Sequence, residues 1–387
     1  MTTAVLSPSP SPASIQSQAD KRQRWWPVLL ALLVVTLLVP LLNLALPEAH
    51  PLHVSDYLVT LLGKMQCFAL CALALDLVWG FTGILSLGHG LFFALGAYAM
   101  GMALMVEAAG PGNLPAFMVF LDWKSLPWHW SLSGSILAQL LLVLLVPGLL
   151  AGLFGYFAFR SRIKGVYFSI ITQALTFAAM LLFFRNETGF GGNNGFTDFK
   201  TLAGIPLADP RTRLGLFVLT GCVLISAYLL ARWIVASKFG RLLQAVRDAE
   251  NRVMFTGYDP LRYKLAVWVL SALMCGVAGA LYVLQVGIIN PSEMSTAASI
   301  EMAVWVAVGG RATLIGPIMG AFFVNGTKSV FTVVWPEAWL FVLGGLFIVV
   351  TLFMPQGLVG LFHSIKAKVK SNAQTDAQTK NQTEVKA

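Results

Sequence analysis

Long apolar runs recur along the whole chain, each closed by a short polar or glycine-containing break. They predict helices at about 27–46, 57–79, 90–108, 132–159, 165–184, 213–235, 264–289, 294–308, 317–335 and 338–354. Most of these runs have the roughly 20 residues that a helix needs to cross a bilayer. Spanning barrel strands would alternate apolar and polar residues over about ten positions. The continuous runs here leave the helix as the form that satisfies every backbone group in lipid. The expected fold class is therefore all-α, a polytopic membrane protein with about ten transmembrane helices. The first run follows Lys21, Arg22 and Arg24 and extends from Pro27 to Leu46. It is longer than the roughly 7–15 residues of a cleaved signal core and lacks a small-x-small cleavage site, so it reads as an uncleaved first span. The run at 294–308 is short and carries Glu301, which predicts a tilted or broken helix beside a cavity.

Composition agrees with this picture. Hydrophobic residues make up 57% of the 387 positions and charged residues 11%, with a mean hydropathy of +0.76. Soluble domains carry about 25% charged residues. A net charge of +9 could point to nucleic acid, but the basic residues lie in short loops between spans, where they set topology instead. With the N-terminus inside, the cytoplasmic groups are Lys21, Arg22 and Arg24; Arg160, Arg162 and Lys164; Lys238 to Lys264; Arg311; and the lysines of the tail. These outnumber Lys124, Arg185, Lys200, Arg211 and Arg213 on the other side, which places both termini in the cytoplasm and supports an even number of spans. Residues 1–24 and 363–387 are polar and low in complexity and predict disordered cytoplasmic ends, leaving 25–362 as the transmembrane domain. Cys67, Cys71, Cys222 and Cys275 lie in apolar runs without metal-type spacing and read as small buried hydrophobes.

Three segments interrupt the apolar pattern. In Gly80–Tyr98 several glycines and a histidine break the hydrophobic sequence. A tight turn between two packed helices accounts for the glycines; so does a broken helix lining a pathway, with Ser86 and His89 facing it. Residues 237–263 form the longest charged stretch between spans. Leu242, Leu243, Val246, Val253 and Met254 predict an amphipathic helix whose other side carries Arg247, Asp248, Glu250 and Arg252. Such a helix could lie on anionic lipid headgroups, but the interspersed acids suit a protein groove better. The third segment, Arg185–Asp198, contains Gly-Gly-Asn-Asn-Gly-Phe-Thr, a flexible turn or a site whose Asn193 and Asn194 amides offer paired donors and acceptors. Gln66, Asp76, Gln173, Glu301, Asn325 and Lys328 fall inside spans and are expected to face the bundle interior or a cavity. Gly148-x-x-x-Gly152 and Gly316-x-x-x-Gly320 read as helix-packing contacts, and Gly309–Gly320 faintly echoes Gly80–Gly101. The chain has no phosphate-binding Gly-x4-Gly-Lys-Ser/Thr loop.

Gly83-Ile-Leu-Ser-Leu-Gly-His-Gly90 with Gly96-Ala-Tyr98, followed by Phe239-Gly-Arg241, Ala245-Val-Arg-Asp-Ala-Glu250, Gly257 and Tyr263-Lys-Leu265, resembles the membrane permease subunits of branched-chain amino acid ABC importers. The resemblance covers about 57–355. It implies a type II-like ABC importer permease that is not itself an enzyme and holds no cofactor, ATP being used by a partner. It further implies a second homologous permease subunit, two ATP-binding cassette subunits, an outer substrate-binding protein, contact with membrane lipid and no nucleic acid. By the same resemblance 237–263 is the loop that couples to the ATPase, with Gly240, Arg241, Arg247, Asp248, Ala249, Glu250 and Gly257 in it. The family's Glu-Ala-Ala signature is degenerate here, surviving as Ala249-Glu250 and Gly257. The Asn-rich stretch resembles the urea-transport branch of the family, so urea or short amides are the expected cargo and branched-chain amino acids the alternative. A proton-coupled carrier using Glu301 or Asp76 is a third reading. The expected pathway residues are Gln66, Ser86, His89, Gln173, Asn193, Asn194 and Glu301.

Overall fold

The computed structural model describes residues 26–47, 49–353 and 357–361, so the expected disordered ends at 1–24 and 363–387 lie outside the described residues. The ten apolar runs are all helical. They are α1 (Trp26–Ala45), α2 (Asp56–Thr82) and α3 (His89–Ala109); then, after the short α4 (Ala116–Phe120), α5 (Ile136–Arg160), α6 (Val166–Phe183) and α7 (Pro210–Ala236). Helix α8 (Lys238–Phe255) precedes α9 (Pro260–Val286), α10 (Thr296–Gly309), α11 (Ile315–Val334) and α12 (Trp339–Phe353). Among the described residues seven helices are long and apolar enough to cross a membrane, namely α1, α2, α3, α5, α6, α7 and α9. Two-residue strands β1 (Phe196–Thr197), β2 (Thr201–Leu202), β3 (Ile205–Pro206) and β4 (Ile288–Ile289) complete the chain.

Helix α9 is the axis of the bundle, packed on α2, α3 and α5. Small residues permit that approach: a Cβ at Gly279 would overlap the Phe93 carbonyl, and one at Gly96 the Gly276 carbonyl. Without a hydrophobic drive between helices in lipid, such backbone proximity and its dispersion contacts hold the bundle together. The pair α10 and α11 repeats the device, with Gly309 against Gly316 and Gly320 against Trp305. Apolar residues also cover the outside. Leu137, Leu141, Leu145, Leu149 and Leu153 form an exposed row along α5, as lipid contact requires. Helix α1 reaches the rest mainly through α7. Cys67, Cys71 and Cys275 are buried as expected, but Cys222 is exposed on α7.

Helix α10 is the departure from regular spanning geometry. Its 14 residues rise about 21 Å, short of a hydrocarbon core of about 30 Å. The missing depth is supplied by Asn290–Ser295, which leaves β4 and turns through a single 3-10 turn at Pro291–Met294. Ser295 caps α10 by accepting from Ala298 N. The backbone of Glu293 lies against Gly90 at the start of α3, so this connection reaches into the bundle. The expected broken helix at 294–308 is therefore present, with its irregular backbone half-buried and lining a cavity.

Candidate functional site: the α8 brace and the charged cavity

Two regions collect the unusual chemistry. The first is at the end of the bundle that carries α8. Ser237 caps this helix by accepting from Gly240 N, and the close approach of Gly240 to the Val235 backbone leaves no room for a side chain. Leu243, Val246 and Val253 are buried against the bundle. Ala249 breaks the helix, with φ −155° and ψ 68°, and rotates the second half out of phase. Met254, expected on the apolar face, is consequently exposed, and Phe255 next to it is 91% exposed. The apolar stripe is thus consumed by the bundle itself. What α8 presents outward is Arg241, Asp248, Asn251, Arg252, Met254 and Phe255.

Ion pairs fix that position. Glu250 accepts from Lys164 Nζ at 2.6 Å and Lys264 Nζ at 2.5 Å, joining α8 to the α5–α6 connection and to α9. Burial pulls the Glu250 carboxyl up, yet the two ammonium groups outweigh it and hold it below the usual carboxylate range. Arg247 donates from Nη1 to the Gly80 carbonyl at 2.8 Å and from Nε to Asp248 Oδ1 at 2.8 Å. Gly257, at φ 86°, turns the chain back toward α9.

The last turns of α2 continue this network. Asp76, fully buried, accepts from Ala312 N at 2.8 Å and Leu314 N at 3.3 Å. Ala312 and Leu314 have φ of 58° and 59°, a conformation that L side chains adopt only when something holds it. The guanidinium of Arg311 lies 4.9 Å from the Trp79 ring centre. Gly80 packs against Ala312, so the two glycine segments that echo each other in sequence meet in space. Arg247, α2 and the α10–α11 connection therefore form one contiguous contact chain.

Ser86 and His89 are buried in packing. Ser271 Oγ donates to the Ala74 carbonyl at 2.5 Å, so its contact with His89 Nε2 at 2.8 Å has the imidazole as donor. The ring meets Trp268 and Phe92 edge-on. Ser86 Oγ accepts from Gly88 N. Gln66 is buried on α2, its Oε1 without a partner, and Gln173 is half-buried on α6.

The second region is a cavity of about 460 Å³ between α2, α9, the 290–295 connection, α10 and α11. Glu301 lines it, as the sequence led us to expect, and so do Lys64, Glu293, Lys328, Asn325 and Tyr282. Lys328 Nζ donates to both Glu301 oxygens, at 3.0 and 2.8 Å. Tyr282 Oη donates to Glu293 Oε1 at 3.1 Å. Lys64 Nζ lies 5.6 and 5.9 Å from the ring centres of Phe68 and Tyr282. Lys64 and Glu293 carry no motif and stand far apart in sequence; the signal available was a lysine within an apolar run.

Asn193 and Asn194 do not line this cavity. They are exposed at the tip of a loop whose neighbours do the anchoring. Phe190 and Phe196 are held around Tyr98, with ring centres 5.9 and 5.1 Å away, and Trp130 Nε1 donates to the Gly189 carbonyl at 3.0 Å. Strand β1 pairs antiparallel with β4, Phe196 opposite Ile289 and Thr197 opposite Ile288. Gly195, at φ 63°, lies against the Ile289 carbonyl and the Cα of Asn290, a residue of the cavity wall. The Asn-rich loop is thus tied to the cavity rim by backbone.

These features agree with comparison to known proteins. Residues 57–351 match the profile of the branched-chain amino acid transport system permease component, and the chain belongs to that family. LivM, the high-affinity branched-chain amino acid transport system permease of Escherichia coli K12, is 26% identical over 359 residues, covering 87% of this chain and 77% of LivM. BraD, the corresponding permease of Pseudomonas aeruginosa, is 23% identical over 333 residues, covering 81% of this chain and 98% of BraD. The autoinducer 2 import permease LsrC of Photorhabdus laumondii is 26% identical over 275 residues, covering 68% and 77%. No solved structure matches. The chain is an inner-membrane permease component of the ABC type, with ATP hydrolysis in a separate subunit, and family membership removes the proton-coupled carrier reading.

Proposed function

We propose that this chain is one of two transmembrane subunits of an ATP-driven importer whose cargo is urea or a short amide. It works with a second homologous permease subunit, two cytoplasmic ATP-binding cassette subunits and a substrate-binding protein on the far side. Both termini and α8 lie in the cytoplasm, and the chain uses no cofactor of its own. The observation that carries the ATP-driven reading is the brace around α8: its apolar side is seated on the bundle, its charged edge and Phe255 tip are free, and Arg247 and Glu250 tie it to three bundle elements. A push on the free edge reaches all three. The cargo reading rests on the likeness of 185–198 to the urea-transport branch, together with the exposed amides of Asn193 and Asn194 beside the cavity rim.

Branched-chain amino acids are the alternative reading, and the comparisons back it better than urea, since the matching family, LivM and BraD are all named for branched-chain amino acid transport. Uptake of labelled urea and of labelled leucine in a strain lacking this chain separates the two. Loss of urea uptake, with wild-type uptake competed by acetamide and not by leucine, is the expected result. Loss of leucine uptake alone replaces the amide reading, and full uptake in cells lacking the ATPase subunits defeats the ATP-driven one.

A further inference from the structure

The charged cavity serves no packing purpose that apolar residues could not serve more cheaply. Ionisable groups at membrane depth are expensive, and where they converge on a cavity they mark a solute path. Here four come from four separate elements: Lys64 from α2, Glu293 from the 3-10 turn, Glu301 from α10 and Lys328 from α11. Their state of satisfaction is uneven. Glu301 and Lys328 neutralise each other through two contacts. Glu293 has Tyr282 on one oxygen, and Lys64 makes no salt bridge among the described residues. Trp305, also in the wall, has a buried indole N–H without a partner.

A zwitterion would use Lys64 and Glu293, the two groups left without an ion pair among the described residues. A neutral amide can instead donate N–H groups to the free carboxylate lone pairs and accept at its carbonyl oxygen from an unused donor. We propose that this cavity is the transit site for the cargo, taking a small neutral amide with Glu293 and Glu301 as acceptors and Lys64 and the Trp305 indole as donors. This rests on the amide reading above. The volume of about 460 Å³ leaves room for water around such a solute, which suits weak, multi-site binding and ready release.

The test is labelled urea uptake by the complete importer reconstituted in liposomes. Glu293→Gln and Lys64→Gln are each expected to lower uptake at least tenfold while the complex still co-purifies with its ATPase, and Lys64→Arg to recover part of it. A second measurement covers variants that fail to assemble: Ala298→Cys, in the cavity wall, in a Cys222→Ser background, where a bulky maleimide should stop uptake and excess urea should slow the labelling. Urea uptake unchanged in the glutamine variants, or after complete labelling, overturns the transit site and leaves the amide reading standing. No urea uptake by the wild-type importer overturns the amide reading itself.

Discussion

Replacing Glu250 with Gln will loosen α8 from the bundle. The carboxylate receives Lys164 Nζ at 2.6 Å and Lys264 Nζ at 2.5 Å, and the Lys264 side chain is only 10% exposed. Gln keeps the shape but offers one acceptor oxygen and turns an amide N–H toward the other ammonium. Breaking a fully buried pair from one side costs about 3–5 kcal/mol. Glu250 is 20% exposed and Lys164 51%, so water returns part of the loss and about 2 kcal/mol is expected. At 1.4 kcal/mol per factor of ten, local opening of the second half of α8 becomes roughly 30-fold more frequent. Hydrogen–deuterium exchange of residues 245–257 in the purified protein reads that change directly. The pH dependence has a definite sign. A carboxyl held below its unfolded value contributes stability above that value and loses it as pH falls through the folded one. Wild-type protection should therefore weaken on acidification below about 4.5, and the Gln variant should not follow. Equal protection of the two proteins at neutral pH would refute the brace.

Three further outcomes follow from the geometry. Asp76→Ala leaves the amides of Ala312 and Leu314 without an acceptor and frees two residues held at positive φ; a thermal midpoint several degrees lower in detergent, from a loss of about 2–3 kcal/mol, is expected. Gly279→Ala forces a Cβ into the Phe93 carbonyl at the α3–α9 crossing, at a cost of about 3 kcal/mol or more, and should reduce the monodisperse fraction on size exclusion. Arg247→Ala removes the bond to the Gly80 carbonyl, and uptake per ATP hydrolysed should fall severalfold in proteoliposomes.

The sequence revealed the parts of this fold that depend on local composition. Continuous apolar runs located the helices, and the short run around Glu301 marked the broken element and one cavity residue. Other features depend on where chain segments meet. The Ala249 break cannot be read from helical periodicity, so Met254 was expected to face inward. His89 looked chemically available, but its use is set by Ser271, which lies far away in sequence and is itself held by the Ala74 carbonyl. Lys64 and Glu293 acquire significance from sharing a cavity, and nothing near either of them records that. In Gly-Gly-Asn-Asn-Gly-Phe-Thr the asparagines drew attention, whereas the glycines and Phe196 are what the fold uses to seat the loop.

The pairing of β1 with β4 bears on how cargo preference could be exchanged between permeases of this family. The loop around Asn193 and the connection carrying Glu293 are separated by about a hundred positions, yet two ladder positions and the seat of Gly195 on Asn290 make them a single backbone unit. Grafting 189–197 alone would place a foreign loop on a native seat, and grafting 288–295 alone would do the reverse. Because the two stretches pair with each other, chimeras that exchange both together are expected to keep the ladder that either graft alone would mismatch.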